Sequence, residues 1–170
     1  MEHLELAIPT LFGLEGLCAD ELRRLGLSDV RAENGRVLCA ARPADIPRVN
    51  LNLRTGERAL LLLGSFPAGD FDALFEGVRA LPWEDFLPRD AAFPVKGHCL
   101  NSALHAVPTC QSIVKKAVAA RLGAKYGLEQ LPETGSLYQI QFAIMKDTAS
   151  LYLAVSYTHL RAHETLRHLV

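Results

Sequence analysis

The chain has 170 residues, 49% hydrophobic and 22% charged, which is the balance of an ordinary globular protein able to bury one or two modest cores. Its longest aliphatic run, Ala59 to Leu63, is far short of the ~20 residues that a bilayer crossing needs. Glu2 and Glu5 spoil any positively charged signal-peptide start, so no membrane partner is expected and the cytoplasm is the expected compartment.

The first sixty-odd residues alternate strand and helix signals. Leu4 to Ile8 alternates apolar with polar residues as a half-buried strand does, and Pro9 closes it. Leu14 to Leu25 follows with Leu14, Leu17, Cys18, Leu22 and Leu25 on one helical face, ended by Gly26. Asn34-Gly35 sits between Val30–Glu33 and Arg36–Ala40, a strong hairpin signal. Asp45 to Leu53 is helical through Ile46, Val49 and Leu53, and Arg58 to Gly64 reads as a central strand. The order βαββαβ predicts a ferredoxin-like unit, two helices on one face of an antiparallel sheet.

Pro67 and Gly69 mark a boundary, and Asp70 is placed to cap a helix over Phe71 to Leu81. Pro82 and Pro88 bracket a connector containing Trp83. A strand is expected over Phe93 to Cys99, a helix over Pro108 to Tyr126, and a closing hairpin from Leu137–Met145 and Ser150–Leu153, turned at Lys146-Asp147-Thr148. The fold class is thus α+β, with one domain over residues 1–67 and an α/β domain over residues 68–154.

The formal charge of −1 hides an asymmetry. Between Asp90 and Glu129 lie 38 residues without an acid, carrying Lys96, Lys115, Lys116, Arg121 and Lys125 together with His98 and His105. The rest of the chain up to Ala154 is net acidic, so an anionic partner is expected to meet this segment first. On the Pro108 helix, Ile113, Ala117, Ala120 and Ala124, with Val114 and Val118 beside them, are expected to face the core. Ser112, Lys115, Lys116, Ala119 and Gly123 lie opposite, where two ammonium groups and little side-chain bulk suit a phosphate backbone. Arg121 and Lys125 form a second basic row. Pro108 suits the first helical turn, leaving the N–H groups of Thr109, Cys110 and Gln111 as phosphate donors. Asn101, Ser102 and His105 offer hydrogen bonds to riboses or bases. Lysines on a helix often do no more than solvate it, but such helices usually intersperse Glu with Lys, and this one does not.

Motifs for catalysis are missing. Ser112-Ile113-Val114-Lys115 matches Ser-x-x-Lys, but its companion motifs are absent. Nothing places Cys110 and His105 in contact as a thiol and base. There is no Gly-x-Gly spacing for a cofactor loop. Cys18, Cys39, Cys99 and Cys110 stand apart with no Cys-x-x-Cys pair, so they read as small buried hydrophobes, with no metal and no disulfide framework. The last sixteen residues, Val155 to Val170, resemble one translated frame of a transposase-type sequencing adapter. They are expected to be a non-native tail, which removes His159 and His163 as a metal pair.

Over Leu4 to Leu153 the sequence resembles bacterial class I RNA methyltransferases that carry an N-terminal ferredoxin-like domain and a THUMP domain and modify guanine N2 in large-subunit ribosomal RNA. The phrases that carry the resemblance are Phe12-Gly13-Leu14-Glu15, Glu33-Asn34-Gly35-Arg36-Val37, Asn50-Leu51-Asn52-Leu53-Arg54-Thr55, Phe71-Asp72-Ala73-Leu74-Phe75-Glu76-Gly77, Leu81-Pro82-Trp83-Glu84-Asp85, Phe93-Pro94-Val95-Lys96-Gly97 and Val107 to Ala117. The resemblance implies that the THUMP unit delivers structured RNA, large-subunit ribosomal RNA in that family, to a methyltransferase domain using S-adenosylmethionine. That domain's glycine-rich loop and Asn/Asp-Pro-Pro-Tyr-type tetrapeptide are absent, so the chain is expected to bind RNA without methylating it, truncated before its catalytic domain and holding no cofactor itself. The expected RNA-binding residues are Lys96, His98, Asn101, Ser102, His105, Gln111, Ser112, Lys115, Lys116, Arg121 and Lys125. The competing readings are a stand-alone regulatory or interaction module, since the ferredoxin-like fold serves many functions, and the THUMP region of a tRNA-modifying enzyme.

Overall fold

Strand β1 (Leu4–Pro9) is the hub of the first unit in the computed structural model, which describes residues 4–154. The tail expectation and the His159/His163 pair lie outside the described residues. Two units are distinguished, one up to Leu62 and the other from Leu63 to Leu153.

In the first unit β1 lies between β3 (Arg36–Ala41) and β4 (Leu60–Pro67), antiparallel to both, and β2 (Ser28–Glu33) forms the edge beside β3. Because β1 is central rather than half-exposed, Leu6, Ala7 and Ile8 are all buried. The β2–β3 hairpin turns at Asn34-Gly35, where Gly35 takes φ +76° at little cost because it lacks a Cβ. Helix α1 (Glu15–Arg24) buries Cys18, Ala19 and Leu22. Leu17, expected on that face, is 58% exposed, because the stripe through Cys18 and Leu22 is what meets the sheet. Helix α2 (Ile46–Asn52) buries Ile46 and Val49. The Glu21 carboxylate of α1 accepts from the N–H groups of Arg54 and Thr55 at 3.1 and 3.3 Å and from the Thr55 hydroxyl at 3.0 Å, fixing the turn after α2. The βαββαβ order and the antiparallel order β2-β3-β1-β4 match the ferredoxin-like expectation.

The second unit orders its strands β4-β7-β6-β5. Strand β5 (Val95–Leu100) runs parallel to β6 (Ile140–Met145), so the chain must cross over between them, and helix α4 (Val107–Tyr126) makes that crossing. Strands β6 and β7 (Thr148–Ala154) form a hairpin whose turn is Lys146-Asp147 alone, at φ +49° and +58°; Thr148 already pairs with Met145. Helix α3 (Phe71–Ala80) starts as its sequence predicts, with the Asp70 carboxylate accepting from Ala73 N–H at 2.7 Å. Trp83 is fully buried and its indole N–H donates to the Val78 carbonyl at 2.7 Å, anchoring the connector beneath α3.

Helix α4 buries Cys110, Val114, Ala117, Val118 and Leu122, while Ala120 and Ala124 are exposed. The expected core face is therefore rotated toward the valine and leucine row. Apolar area decides which stripe is buried, and an alanine contributes far less of it than a valine or leucine.

Two substitutions rank the local constraints in chemical denaturation. Asp70→Ala should lose about 1 kcal/mol by orphaning the first turn of α3. Gly97→Ala should lose more, about 2–3 kcal/mol, because its new Cβ would stand 2.4 Å from the Phe142 carbonyl oxygen of the paired strand.

Candidate nucleic-acid interface

Orientation in the second unit follows from one sulfur contact and the alternation of a strand. Cys99 Sγ lies 3.9 Å from Cys110 Sγ, so Cys99 points toward α4. Its neighbours His98 and Leu100 therefore point to the opposite face of the sheet, and Lys96 points there with them. All three are exposed. Lys96 and His98 thus sit on a different surface from the cations of α4.

Beyond β5 the loop 101–106 is tied down locally. Ser102 Oγ donates to Asp147 Oδ1 at 2.7 Å, and the Ala103 N–H donates to the same oxygen at 2.8 Å. The backbone bond from Ala103 and the hydroxyl bond from Ser102 hold the Asp147 carboxyl below the usual aspartate range. His105 Nδ1 is 3.0 Å from the Ala103 carbonyl oxygen. Asn101, at φ +49°, and His105 are exposed at the mouth of this loop. The first turn of α4 offers less than its sequence suggests, since Cys110 N–H already donates to the Ala106 carbonyl at 3.0 Å. Gln111 Nε2 donates to the Val95 carbonyl at 3.3 Å, so this side chain fastens the helix to β5.

The five cations of the acid-free run divide sharply. Lys115 donates to Glu133 Oε2 at 2.6 Å and to the Phe93 carbonyl at 3.3 Å, with its Nζ 4.3 Å from the centre of the Phe93 ring. Arg121 binds Glu84 in bidentate fashion at 2.9 and 2.6 Å. The Arg121 hydrogen bonds hold the Glu84 carboxyl below the ordinary glutamate range, with Lys125 adding a weaker pull in the same direction. Lys125 thus belongs to the Glu84 side of the helix. Lys116 and Ser112 are exposed on the side away from the core stripe. Among the described residues, Lys96, Lys116 and Lys125 form no ion pair within 4 Å.

The expectation of a cation cluster unopposed by carboxylates is corrected by this distribution, since Glu133 and Glu84 meet Lys115 and Arg121. The cations occupy the outer sheet face, the outer side of α4 and the Glu84 side of α4. Gly123 is no open approach point either, because a Cβ there would meet the Leu128 carbonyl oxygen at 2.8 Å. Sequence reasoning missed Glu84, Glu133 and Asp147, three acids from outside the acid-free run that fold back onto it. A charge count along the chain cannot see them; the only hint was that acids resume at Glu129, directly after the helix. Among the described residues no cluster of His, Cys, Asp or Glu is arranged to hold a metal ion, and no helix is long and apolar enough to cross a membrane.

An antiparallel βαββαβ unit followed by a mixed unit with a parallel β5–α4–β6 crossover is the architecture of a ferredoxin-like domain joined to a THUMP domain. Residues 5–60 match the model of the RlmL ferredoxin-like domain, and residues 68–154 match the THUMP domain. The chain belongs to the THUMP family, in the form that carries an RlmL-type ferredoxin-like domain ahead of it. It is 37% identical over 162 residues to YpsC of Bacillus subtilis (strain 168), named as a candidate RNA methyltransferase, covering 94% of this chain and 42% of that protein. It is 33% identical over 127 residues to the ribosomal RNA large subunit methyltransferase K/L of Pseudomonas putida (strain W619), covering 75% of this chain and 17% of that protein. Among solved structures, a predicted N6-adenine-specific DNA methylase from Listeria monocytogenes str. 4b F2365 superposes with a TM-score of 0.86 at 42% identity, over 91% of this chain and 40% of that one. SMU.472, a candidate methyltransferase solved with SAH, gives a TM-score of 0.85 at 37% identity, over 91% of this chain and 42% of that one. The chain therefore spans less than half the length of these relatives.

The Glu84–Arg121 pair predicts a pH dependence. A carboxyl whose folded pKa is depressed stabilises the fold above its unfolded pKa, and that stability is lost as pH falls through the folded value. Glu84→Gln should therefore be less stable than the wild type at pH 7, and the gap should close as the pH drops below about 4.5. Thermal melts of both proteins across pH 3–8 check this.

Proposed function

We propose that this chain is the RNA-holding portion of a ribosomal RNA (guanine-N2)-methyltransferase, with residues 1–67 as its ferredoxin-like domain and residues 68–154 as the RNA-binding THUMP domain. The observation that carries the reading is the exposed α4 cation Lys116, without an ion pair among the described residues, one turn from Ser112 on the helix that follows the loop bearing Asn101 and His105, in a domain of the THUMP family. These groups match phosphate and ribose chemistry, which reads RNA by shape more than by base edges. Lys96, His98 and Lys125 are proposed as outlying contacts. Ser102, Gln111, Lys115 and Arg121 are held by protein partners, so in this reading they shape the interface before they touch RNA.

The methyl transfer is assigned to the part of the relatives' length that this chain does not span, with S-adenosylmethionine as donor, large-subunit ribosomal RNA as substrate and the cytoplasm as compartment. The relative solved with SAH supports the donor. The described residues do not fit that cofactor. The hollow beside Arg31, lined by Leu4, Glu5, Asp29, Val30, Arg31 and Ala40, encloses about 340 Å³ at the edge strand β2, with no glycine-rich loop meeting a helix start. No chemical step is assigned to this chain.

Binding of a structured ribosomal RNA fragment, measured across salt concentrations, tests the reading. Lys116→Glu should weaken binding several-fold and reduce the slope of log affinity against log salt by about one. Lys125→Glu should do less, because Lys125 lies on the Glu84 side of the helix, away from Lys116 and Ser112. Glu133→Gln should strengthen binding by freeing Lys115 for phosphate. Salt-insensitive binding, or an affinity unchanged by Lys116→Glu, would favour the regulatory-module reading.

A further inference from the structure

Two of the four cysteines meet across the junction that carries the candidate interface. Cys99 leaves β5 toward α4, Cys110 enters from the first turn of α4, and their sulfurs stand 3.9 Å apart. A disulfide needs about 2.05 Å between sulfurs, so closure requires an approach of about 2 Å, within reach of side-chain rotation and a small helix shift. The pair also has an entrance: Cys99 is only half-buried, whereas Cys110 is fully buried behind it. That is the arrangement of an attacked thiol with a resolving partner. The other two, Cys18 and Cys39, are both sealed in the core of the first unit at 0% and 1% exposure.

We propose that Cys99 and Cys110 are a redox modification site, closed to a reversible disulfide by a hydroperoxide, that staples β5 to the start of α4. With hydrogen peroxide as the hydroperoxide, the Cys99 thiolate gives its electron pair to one peroxide oxygen, the O–O bond breaks, and the hydroxide that leaves takes up the proton released by Cys99, giving a sulfenic acid and water. The Cys110 thiolate then attacks the sulfenic sulfur; the S–O bond breaks and hydroxide leaves, taking the proton released by Cys110 as a second water. Both thiols are oxidised and the peroxide is reduced. The staple spans the loop 101–106, so Asn101, Ser102 and His105 are held between its ends. Burial, with Cys99 adding to it, pushes the Cys110 thiol up to about 11, so the resolving step is slow at neutral pH and accelerates as the solution becomes more alkaline.

The site stands on sulfur geometry and is independent of RNA binding. Trypsin releases both cysteines in one peptide, residues 97–115, because no lysine or arginine lies between Lys96 and Lys115. After treatment of the 170-residue chain with hydrogen peroxide, that peptide should lose about 2 Da, the two thiol hydrogens, and regain them with dithiothreitol. The conversion should be faster at pH 9 than at pH 7. Cys99→Ser, at the half-buried position, should abolish the mass loss while the protein keeps its circular dichroism spectrum. In Cys110→Ser, Cys99 should instead be trapped as a sulfenic acid by dimedone. Free thiols in residues 97–115 after exposure that oxidises glutathione, oxidation confined to Cys18 and Cys39, or Cys99 found only as a sulfinic acid or an intermolecular disulfide would each overturn the proposal.

Discussion

Helix α4 must bury one row of side chains, Cys110, Val114, Val118 and Leu122, and the orientation of everything else in the second unit follows from that requirement. The row recurs at i, i+4 spacing, so once it is seated the directions of Ser112, Lys116, Arg121 and Lys125 are no longer free choices. The parallel pairing of β5 with β6 enforces the same geometry from the other side. Parallel strands require a crossover element, and a 20-residue helix packed on the sheet is that element here.

Electrostatics in this protein is settled by what folds onto the helix rather than by what the helix carries. Arg121 is neutralised by Glu84, from the connector anchored by Trp83, and Lys115 by Glu133, from the segment leading to β6. The more exposed of the two, Lys115–Glu133, belongs to a class that contributes little to stability on average, whereas Glu84 is largely buried beside Arg121. Both pairs also act on recognition, because they set which cations remain available to an anion. Lys116 is left outward, while its neighbour Lys115 is pulled under the Phe93 ring. A single step along the sequence thus separates a solvent-facing ammonium from one already committed to the fold.

The two units use the same device for their loops, a single carboxylate that gathers several donors. In the first unit Glu21 collects Arg54 and Thr55, and Glu15 bridges Gly13 and Gly35 through bonds of 2.8 and 2.9 Å. In the second, Asp147 collects Ser102 and Ala103. Each holds a loop at the edge of a sheet without burying a charge, which keeps the desolvation cost low. The loop that Asp147 fixes is the one spanned by the Cys99–Cys110 pair, so the proposed interface and the proposed redox site share one rigid support.

The sequence by itself determined the element order. Strand alternation, the Asn34-Gly35 turn, the Asp70 cap and Pro108 in the first turn of α4 are local chemistry, and local chemistry is written in neighbouring residues. The family was legible for the same reason, in short phrases such as Leu81-Pro82-Trp83-Glu84-Asp85. Tertiary structure alone decided the faces and the charges. Which stripe of α4 is buried depends on the area the sheet offers, so Ala120 and Ala124 turned outward. Which cations stay unpaired depends on acids distant in sequence, Glu133 18 residues from Lys115 and Glu84 37 residues from Arg121, and on the sheet alternation that sends Lys96 and His98 to the far side. Those are contacts through space, which no count along the chain contains.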